Sequence, residues 1–231
     1  MVSWDYAGIR EELNMEQTEL CELCNTPVYE YLCSAKPLYR YKVCPSCAYT
    51  LLLPEFALTP TEERGRYLLH TNTEDNSGYL QYLAKFFELG IMPFISSGAS
   101  LLDFGSGPNP QLAKLLKERN YKVSIYDPFF ADDKEVFGFK YDAVLLHEVI
   151  EHLENPLEEL QKLARLVLRG GSLIIRTQLR PQDDRAFDSW WYRKDTTHRS
   201  FFTADTFAAM ARHLDLNLNI AAPDILLMTM H

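Results

Sequence analysis

No apolar run in this chain approaches the ~20 residues that a bilayer-spanning helix needs, so a membrane span is not expected. The opening stretch MVSWDYAGIREELNMEQTEL is acidic and has no apolar signal core, which argues against secretion and for a cytoplasmic protein. Positive charge is scarce: 23 Lys and Arg stand against 32 Asp and Glu, a formal net charge of −9. Broad, nonspecific nucleic-acid binding relies on many Lys/Arg–phosphate contacts and is therefore disfavoured, although a local basic groove stays compatible with the balance. There is no internal repeat and no low-complexity tract. What remains is an ordinary globular composition, 47% hydrophobic and 24% charged over 231 residues. That length supports one good core and a small accessory module.

Cysteine is also sparse, with five residues, but four of them form two knuckles. CELC (Cys21, Cys24) and CPSC (Cys44, Cys47) make a C-x2-C-x19-C-x2-C pattern suited to tetrahedral thiolate binding of zinc. A redox CxxC usually comes singly beside a βαβ pattern, a context that neither knuckle has. With no spare ligand position the zinc is expected to be structural, and it would make good the small core of a fifty-residue segment. Cys33, between the knuckles, reads as a small core residue. Short β-rich runs (VYEYLC, YRYKVC, YTLLL) surround the knuckles, as in a zinc ribbon. Residues 1–53 are therefore expected to form a zinc-ribbon-like module.

Residues 54–98 read as a helical bridge or lid. LTPTEE predicts a helix start with Thr59 as N-cap, Pro60 at the first position and Glu62 closing a capping box. YLQYLAKFFELGI predicts a second helix, with Tyr79, Leu83, Phe86 and Phe87 at helical spacing. Tyr67 and His70, just before the main domain, are candidates either to close over a ligand or to serve as core and cap residues.

From residue 99 to 231 apolar strands alternate with amphipathic helices. The strands are SLLDF, KVSIYD, YDAVLLH, SLIIRT, LNLNIA and ILLMTM; the helices are PQLAKLLKERN, PLEELQKLARLVL and TADTFAAMARHL. This predicts an α/β domain with a Rossmann-like, mostly parallel sheet covered on both faces. No helix separates the last two strands, which predicts a C-terminal antiparallel hairpin. Ligands of open α/β sheets bind beyond the carboxyl ends of the strands.

LLDFGSGPNP (101–110) carries the most information. Gly105 and Gly107 permit close backbone approach and positive φ. Asn109 is a suitable N-cap, with Pro110 at the first helical position. Amide N–H groups at such a helix start face a ligand. The second strand ends at Asp127, placed to accept hydrogen bonds from both ribose hydroxyls of a nucleoside-type cofactor. A dehydrogenase would favour a further glycine where this chain has Pro108-Asn109-Pro110.

DFGSGP followed by YDP resembles the first two cofactor motifs of class I S-adenosylmethionine-dependent methyltransferases. VLLHEVIEHLENP, GGSLIIRT and WYRKDTTHRSFFT resemble later segments of the subgroup that includes the ubiquinone-biosynthesis O-methyltransferases. The resemblance covers roughly 99–231. It implies that Asp103, Gly105 and Gly107 line the methionine end of S-adenosylmethionine, that Asp127 binds its ribose and that His147 faces the cofactor. The family's third glycine of the first motif is Asn109 here, which tolerates left-handed geometry. Only about fifteen residues separate Asp127 from the next strand, barely room for a helix and a third strand. The adenine contact is thus unassigned, with Phe129, Phe130 and the acidic ADDKE (131–135) as candidates.

HEVIEH (147–152) sets Glu148, Glu151 and His152 on one face of a helical turn. Three roles are open. His152 could be a general base toward an acceptor hydroxyl. Glu148, Glu151 and His152 could hold Mg2+ or Mn2+ with His198, an arrangement similar to that of 2′-O-methyltransferases acting on small-RNA 3′ ends. The group could also be structural. Between 176 and 199 lie Arg176, Arg180, Arg185, Arg193, Lys194 and Arg199, with Trp190, Trp191 and Tyr192. This stretch is either a wall for an anionic or aromatic substrate or a solvated loop. The leading expectation is O- or C-methylation of a small or medium-sized metabolite. The alternatives are an RNA methyltransferase that reads RNA with its zinc module and a non-catalytic adaptor that binds S-adenosylmethionine. A zinc module ahead of such a domain also resembles sugar C-methyltransferases.

Overall fold

The computed structural model describes residues 19–69 and 76–231. Three strands come first: β1 (Tyr29–Leu32), β2 (Arg40–Val43) and β3 (Thr50–Leu52). Helices α1 (Pro60–Tyr67) and α2 (Ser77–Phe86) follow, the first with the expected Thr59–Glu62 capping box. A π-helical turn, Phe87–Ile91, extends α2. The α/β part then runs β4 (Ser100–Phe104), α3 (Gln111–Glu118), β5 (Lys122–Tyr126), β6 (Tyr141–His147), α4 (Pro156–Ala164) and β7 (Val167–Arg176). It ends with α5 (Asp184–Ser189), β8 (Ser200–Phe201), α6 (Ala204–Leu214), β9 (Asn217–Ala222) and β10 (Ile225–Thr229).

Six strands form one sheet in the order β5-β4-β6-β7-β10-β9. The first four are parallel; β10 pairs antiparallel with β9, as the missing helix predicted, and also with β7. Strand alternation sends successive side chains to opposite faces. Leu102, Val144, Leu146 and Leu173 join the core under α4 and α6, while Leu101, Ala143, Leu145 and Ile174 join the core under α2 and α3. Both faces are thus dry, and each fully buried leucine contributes about 1.5–3 kcal/mol. Among the described residues no helix is long and apolar enough to cross a membrane.

Between Asp127 and Tyr141 there is no strand, in keeping with the short spacing, only an Asp127–Ala131 bridge and a short 3-10 turn, so β5 is an edge strand. Two local expectations are corrected. Helix α4 stops at Ala164 rather than running through Leu168, and β7 begins before Gly170-Gly171 instead of after it. Gly171 lies against the neighbouring strand: a Cβ there would sit 2.5 Å from the Asp142 carbonyl oxygen, next to a register shift between Tyr141 and Ala143. Helix α3 starts at Gln111, whose N–H donates to the Asn109 carbonyl at 2.7 Å, so Pro110 rather than Asn109 is the cap residue.

The cysteine-bearing strands do not stand alone. Their sheet has the order β1-β2-β3-β8, with β8 supplied from residues 200–201. Cys21, Cys44 and Cys47 pack in the same apolar cluster as Leu157, Phe202 and Phe207.

Candidate active site

The glycine turn leaves β4 with Gly105 at φ +78° and Gly107 at φ +67°. Gly105 also makes a close approach: a Cβ there would lie 2.5 Å from Cγ2 of Val149, inside HEVIEH. The turn is held against β5 by Gly105 and Ser106 N–H groups donating to the Tyr126 carbonyl. Asp127 completes it. One carboxylate oxygen accepts from Gly107 N–H at 2.8 Å, and the other accepts from Phe129 and Phe130 N–H at 2.9 and 3.1 Å.

A cavity of about 390 Å³ opens over these groups. Gly105, Gly107, Asp127 and His147, all expected at the cofactor, line it, as do Phe129 and Phe130. The acidic stretch 131–135 does not line it, and neither does Asp103. His147 packs between Tyr82 and Phe86 at ring-centroid distances of 5.2 and 5.0 Å. Burial, reinforced by Arg176, pushes its pKa down to about 3, so it is neutral.

Asp103 is buried and one of its oxygens has no partner. Burial raises its pKa to about 7. The folded carboxyl therefore keeps its proton between pH about 4 and 7, where the unfolded one has lost it, and stability falls as pH rises through that window. The effect is on the order of 4 kcal/mol above pH 7. Asp103→Asn should melt above the wild type at pH 8 by several degrees and close to it at pH 5. A variant that melts lower at both values would mean that the ionised group is needed.

HEVIEH leaves the sheet through Glu148, whose φ is +54°, and turns over as a 3-10 helix at Ile150–His152. This brings the expected residues together. Tyr192 Oη lies 2.6 Å from a Glu151 oxygen, 3.0 Å from a Glu148 oxygen and 3.1 Å from Thr177 Oγ1. Tyr82 donates to the other Glu148 oxygen at 2.7 Å. Burial pushes both glutamates above the usual carboxylate range, and for Glu148 the charge of Glu151 adds to it. A phenol has one proton and can donate it to only one of the two carboxylates at a time.

The histidines are oriented by carbonyls, which only accept. His152 Nδ1–H donates to Thr197 O at 3.1 Å, and His198 Nδ1–H donates to Tyr192 O at 2.7 Å. With Nδ1 so engaged, Nε2 is the ring nitrogen that each imidazole, when neutral, offers to a metal. Ligand atoms of Glu151, His152 and His198 lie within 4.8 Å of one another, and the second Glu151 oxygen is buried without a partner. Glu148 lies outside that trio, held by the two tyrosines. Burial keeps the His152 pKa below its ordinary value.

Of the two readings left open for the basic stretch, a cationic substrate wall is not what the fold builds, because none of its six cations lines the cavity. Arg176 pairs with Asp224 and stacks on Tyr82, Arg180 pairs with Asp184, and Arg199 meets Glu154. Arg193 is buried on backbone carbonyls, and Arg185 and Lys194 are exposed. Trp191 and Tyr192 do line the cavity, whereas Trp190 packs between Phe187, Tyr192 and Phe201. Tyr67 reaches it from α1, its ring against Phe129 and His152 and its hydroxyl donating to Glu63. His70 lies outside the described residues. Tyr82, Thr177 and Asp195 were not legible as site residues, since no local spacing marks them.

The knuckles meet the geometric requirement for zinc. Sulfur pairs Cys21–Cys47, Cys24–Cys44 and Cys24–Cys47 are 3.7, 3.4 and 3.9 Å apart. A tetrahedron with Zn–S near 2.3 Å has edges of about 3.8 Å. Cys33 is buried in a separate cluster with Tyr41 and Phe187.

Comparison with known proteins agrees with this geometry. No curated protein matches the chain. Among solved structures, an O-methyltransferase family protein from Burkholderia thailandensis aligns at TM-score 0.51 and 16% identity, over 73% of this chain and 62% of that one. The chain thus spans less than two thirds of that relative. A SAM-dependent methyltransferase from Archaeoglobus fulgidus aligns at TM-score 0.49 and 17% identity, over 60% of this chain and 69% of the other. A family model described as a methyltransferase domain matches residues 70–220, well over half the length. The matched span holds the glycine turn, Asp127 and HEVIEH, and the chain belongs to that family of S-adenosylmethionine-dependent methyltransferases.

Proposed function

We propose that the protein transfers the methyl group of S-adenosylmethionine to an oxygen, or a carbon, of a small or medium-sized acceptor, assisted by a divalent cation at Glu151, His152 and His198. The observation that carries this reading is the convergence within 4.8 Å of three potential ligand groups, buried Glu151 and His198 and half-buried His152, in the cluster whose two histidines line the cofactor cavity. One carboxylate and two imidazoles form a mixed O/N set suited to Mg2+, Mn2+ or Fe2+. A bound cation supplies Lewis acidity toward an acceptor hydroxyl. The chain's own groups do the rest. Gly105, Gly107 and Asp127 hold the cofactor, and Tyr82 and Tyr192 fix Glu148 and Glu151. Methyl transfer from a sulfonium needs chiefly an in-line approach, so positioning supplies much of the rate.

The cavity carries Glu63, Asp127, Glu148 and Asp195 and neither Lys nor Arg, with Tyr82, Trp191 and Tyr192 as aromatic walls. This favours a neutral, planar or hydroxyl-bearing acceptor over an anionic one and weighs against RNA. A general-base role for His152 is the second reading, favoured by its place in the cavity wall with Nδ1 anchored. The deciding experiment is label transfer from radiolabelled methyl donor into cell extracts, with metal-stripped protein whose cysteine site is still filled. Loss of at least 100-fold, restored by Mn2+ or Mg2+, is the expected result. Full turnover without the cation, combined with loss in His152→Ala, would establish the base instead. Absence of any cofactor heat in calorimetry would remove both.

A further inference from the structure

Arg193 is the largest fully buried side chain among the described residues, and a charge so placed is costly unless its hydrogen bonds are met. Its guanidinium is satisfied by carbonyl oxygens. It donates to Pro37 O at 2.9 Å, Ala35 O at 3.1 Å and Asp188 O at 2.7 Å. Residues 35–37 belong to the connection between β1 and β2 of the cysteine-bearing sheet. Arg193 therefore straps that connection to the segment that follows α5.

Other ties run between the same two regions. The Asp188 carboxylate accepts from Tyr31 Oη and Ser34 N–H, both at 2.9 Å, and from Ser34 Oγ. Burial would raise its pKa, yet these donors hold it below the ordinary carboxylate value. Leu52 N–H donates to Arg199 O at 2.7 Å, β3 pairs with β8, and Thr206 Oγ1 donates to the carbonyl of Cys47 itself at 2.7 Å. Tyr192 and His198 lie within this strapped segment, and both line the cavity. The bonds of the cofactor half are local by contrast: those of Asp127 go to Gly107, Phe129 and Phe130.

We infer that the cysteine-bearing sheet is the scaffold that sets the acceptor-side wall of the active site, and that Arg193 is the positioning residue through which it fixes Tyr192 and His198. The sheet then acts on the reaction without touching cofactor or acceptor. Displacements of the order of 1 Å at such a wall cost about 100-fold in rate, so a strap of this kind is functional as well as structural. The inference rests on the proposed cation-assisted reading for the role of His198, but not for the strap itself.

The test uses the full chain with zinc bound, comparing wild type, Arg193→Met, Arg193→Lys and the milder Tyr31→Phe/Ser34→Ala double variant, which acts from the opposite side of the strap. Co2+ is titrated into the Glu/His site and followed by its visible absorption, S-adenosylhomocysteine affinity is measured by calorimetry, and deuterium uptake is read by peptide. Arg193→Met should weaken Co2+ binding at least tenfold and speed exchange over 189–199 at least tenfold. Cofactor affinity and exchange over 101–127 should stay within twofold. Arg193→Lys should recover part of the loss, and the double variant should show a smaller effect of the same pattern. Unchanged exchange over 189–199, or an equal fall in cofactor affinity, would overturn the inference. If the wild type binds S-adenosylhomocysteine but takes no Co2+, the cation reading fails, while the exchange pattern still decides the strap.

Discussion

Cys44→Ser should leave the purified chain without its expected one zinc and with a melting temperature lower by ten degrees or more. The site is built for the metal, with sulfur–sulfur distances of 3.4 to 3.9 Å among the knuckles. Structural zinc sites of this kind contribute apparent free energies of about 10–16 kcal/mol in small peptides. The strands β1 to β3 are only three or four residues long, so the metal is a large addition to the packing and the Arg193 and Asp188 bonds that also hold them. The loss would spread, because Cys44 and Cys47 pack with Phe202 and Phe207 and β8 pairs with β3. A loss of only 3–5 kcal/mol already moves the midpoint of a chain this size by about ten degrees. Cys33→Ser is the control: it should retain the metal, because Cys33 packs in another cluster. Metal analysis beside thermal melts checks both variants. Full zinc content in Cys44→Ser would remove the four-thiolate site from the account of this fold.

The parts of this molecule that were legible in its sequence are those whose chemistry is local. The knuckles, the capping box at Thr59, the glycine turn and Asp127 are each set by a few adjacent residues and their backbone demands. HEVIEH is intermediate. Its spacing suggested a shared face, and the turn does bring Glu148 and Glu151 onto one phenol, but the backbone achieves this with a left-handed Glu148 and a 3-10 turn rather than an α-helical one. What stayed hidden depends on distant partners. Nothing near Tyr82 announces that its hydroxyl meets Glu148, 66 residues away. The arginines between 176 and 199 could be read as a substrate wall or as a solvated loop, because composition records charge and not direction. In the fold Arg176 and Arg193 turn inward to satisfy carbonyls and Asp224. The early start of β7 was masked by Leu166-Val167-Leu168, an apolar run that suits a helix end and a strand start equally well.

Asp127→Ala should reduce affinity for S-adenosylmethionine and S-adenosylhomocysteine by at least 100-fold, about 2.7 kcal/mol. Two losses combine. The carboxylate organises the site before ligand arrives, accepting three N–H groups from Gly107, Phe129 and Phe130. Hydrogen bonds to a charged acceptor contribute about 1.5–3 kcal/mol each, and the stranded donors add their own desolvation cost. Without them, the turn through Gly107 and the phenylalanine pair lose their common anchor. The second loss is direct, because each carboxylate oxygen has more than one lone pair and Asp127 lines the cavity, within reach of the proposed ribose hydroxyls. Asp127→Asn separates the two. An amide keeps one acceptor oxygen for the loop but presents an N–H2 group where the second oxygen accepted, so it should fall between wild type and alanine. Calorimetric titration of all three proteins gives the answer. Wild-type affinity in Asp127→Ala would mean that the carboxylate serves the loop alone and that the cofactor's sugar is held elsewhere.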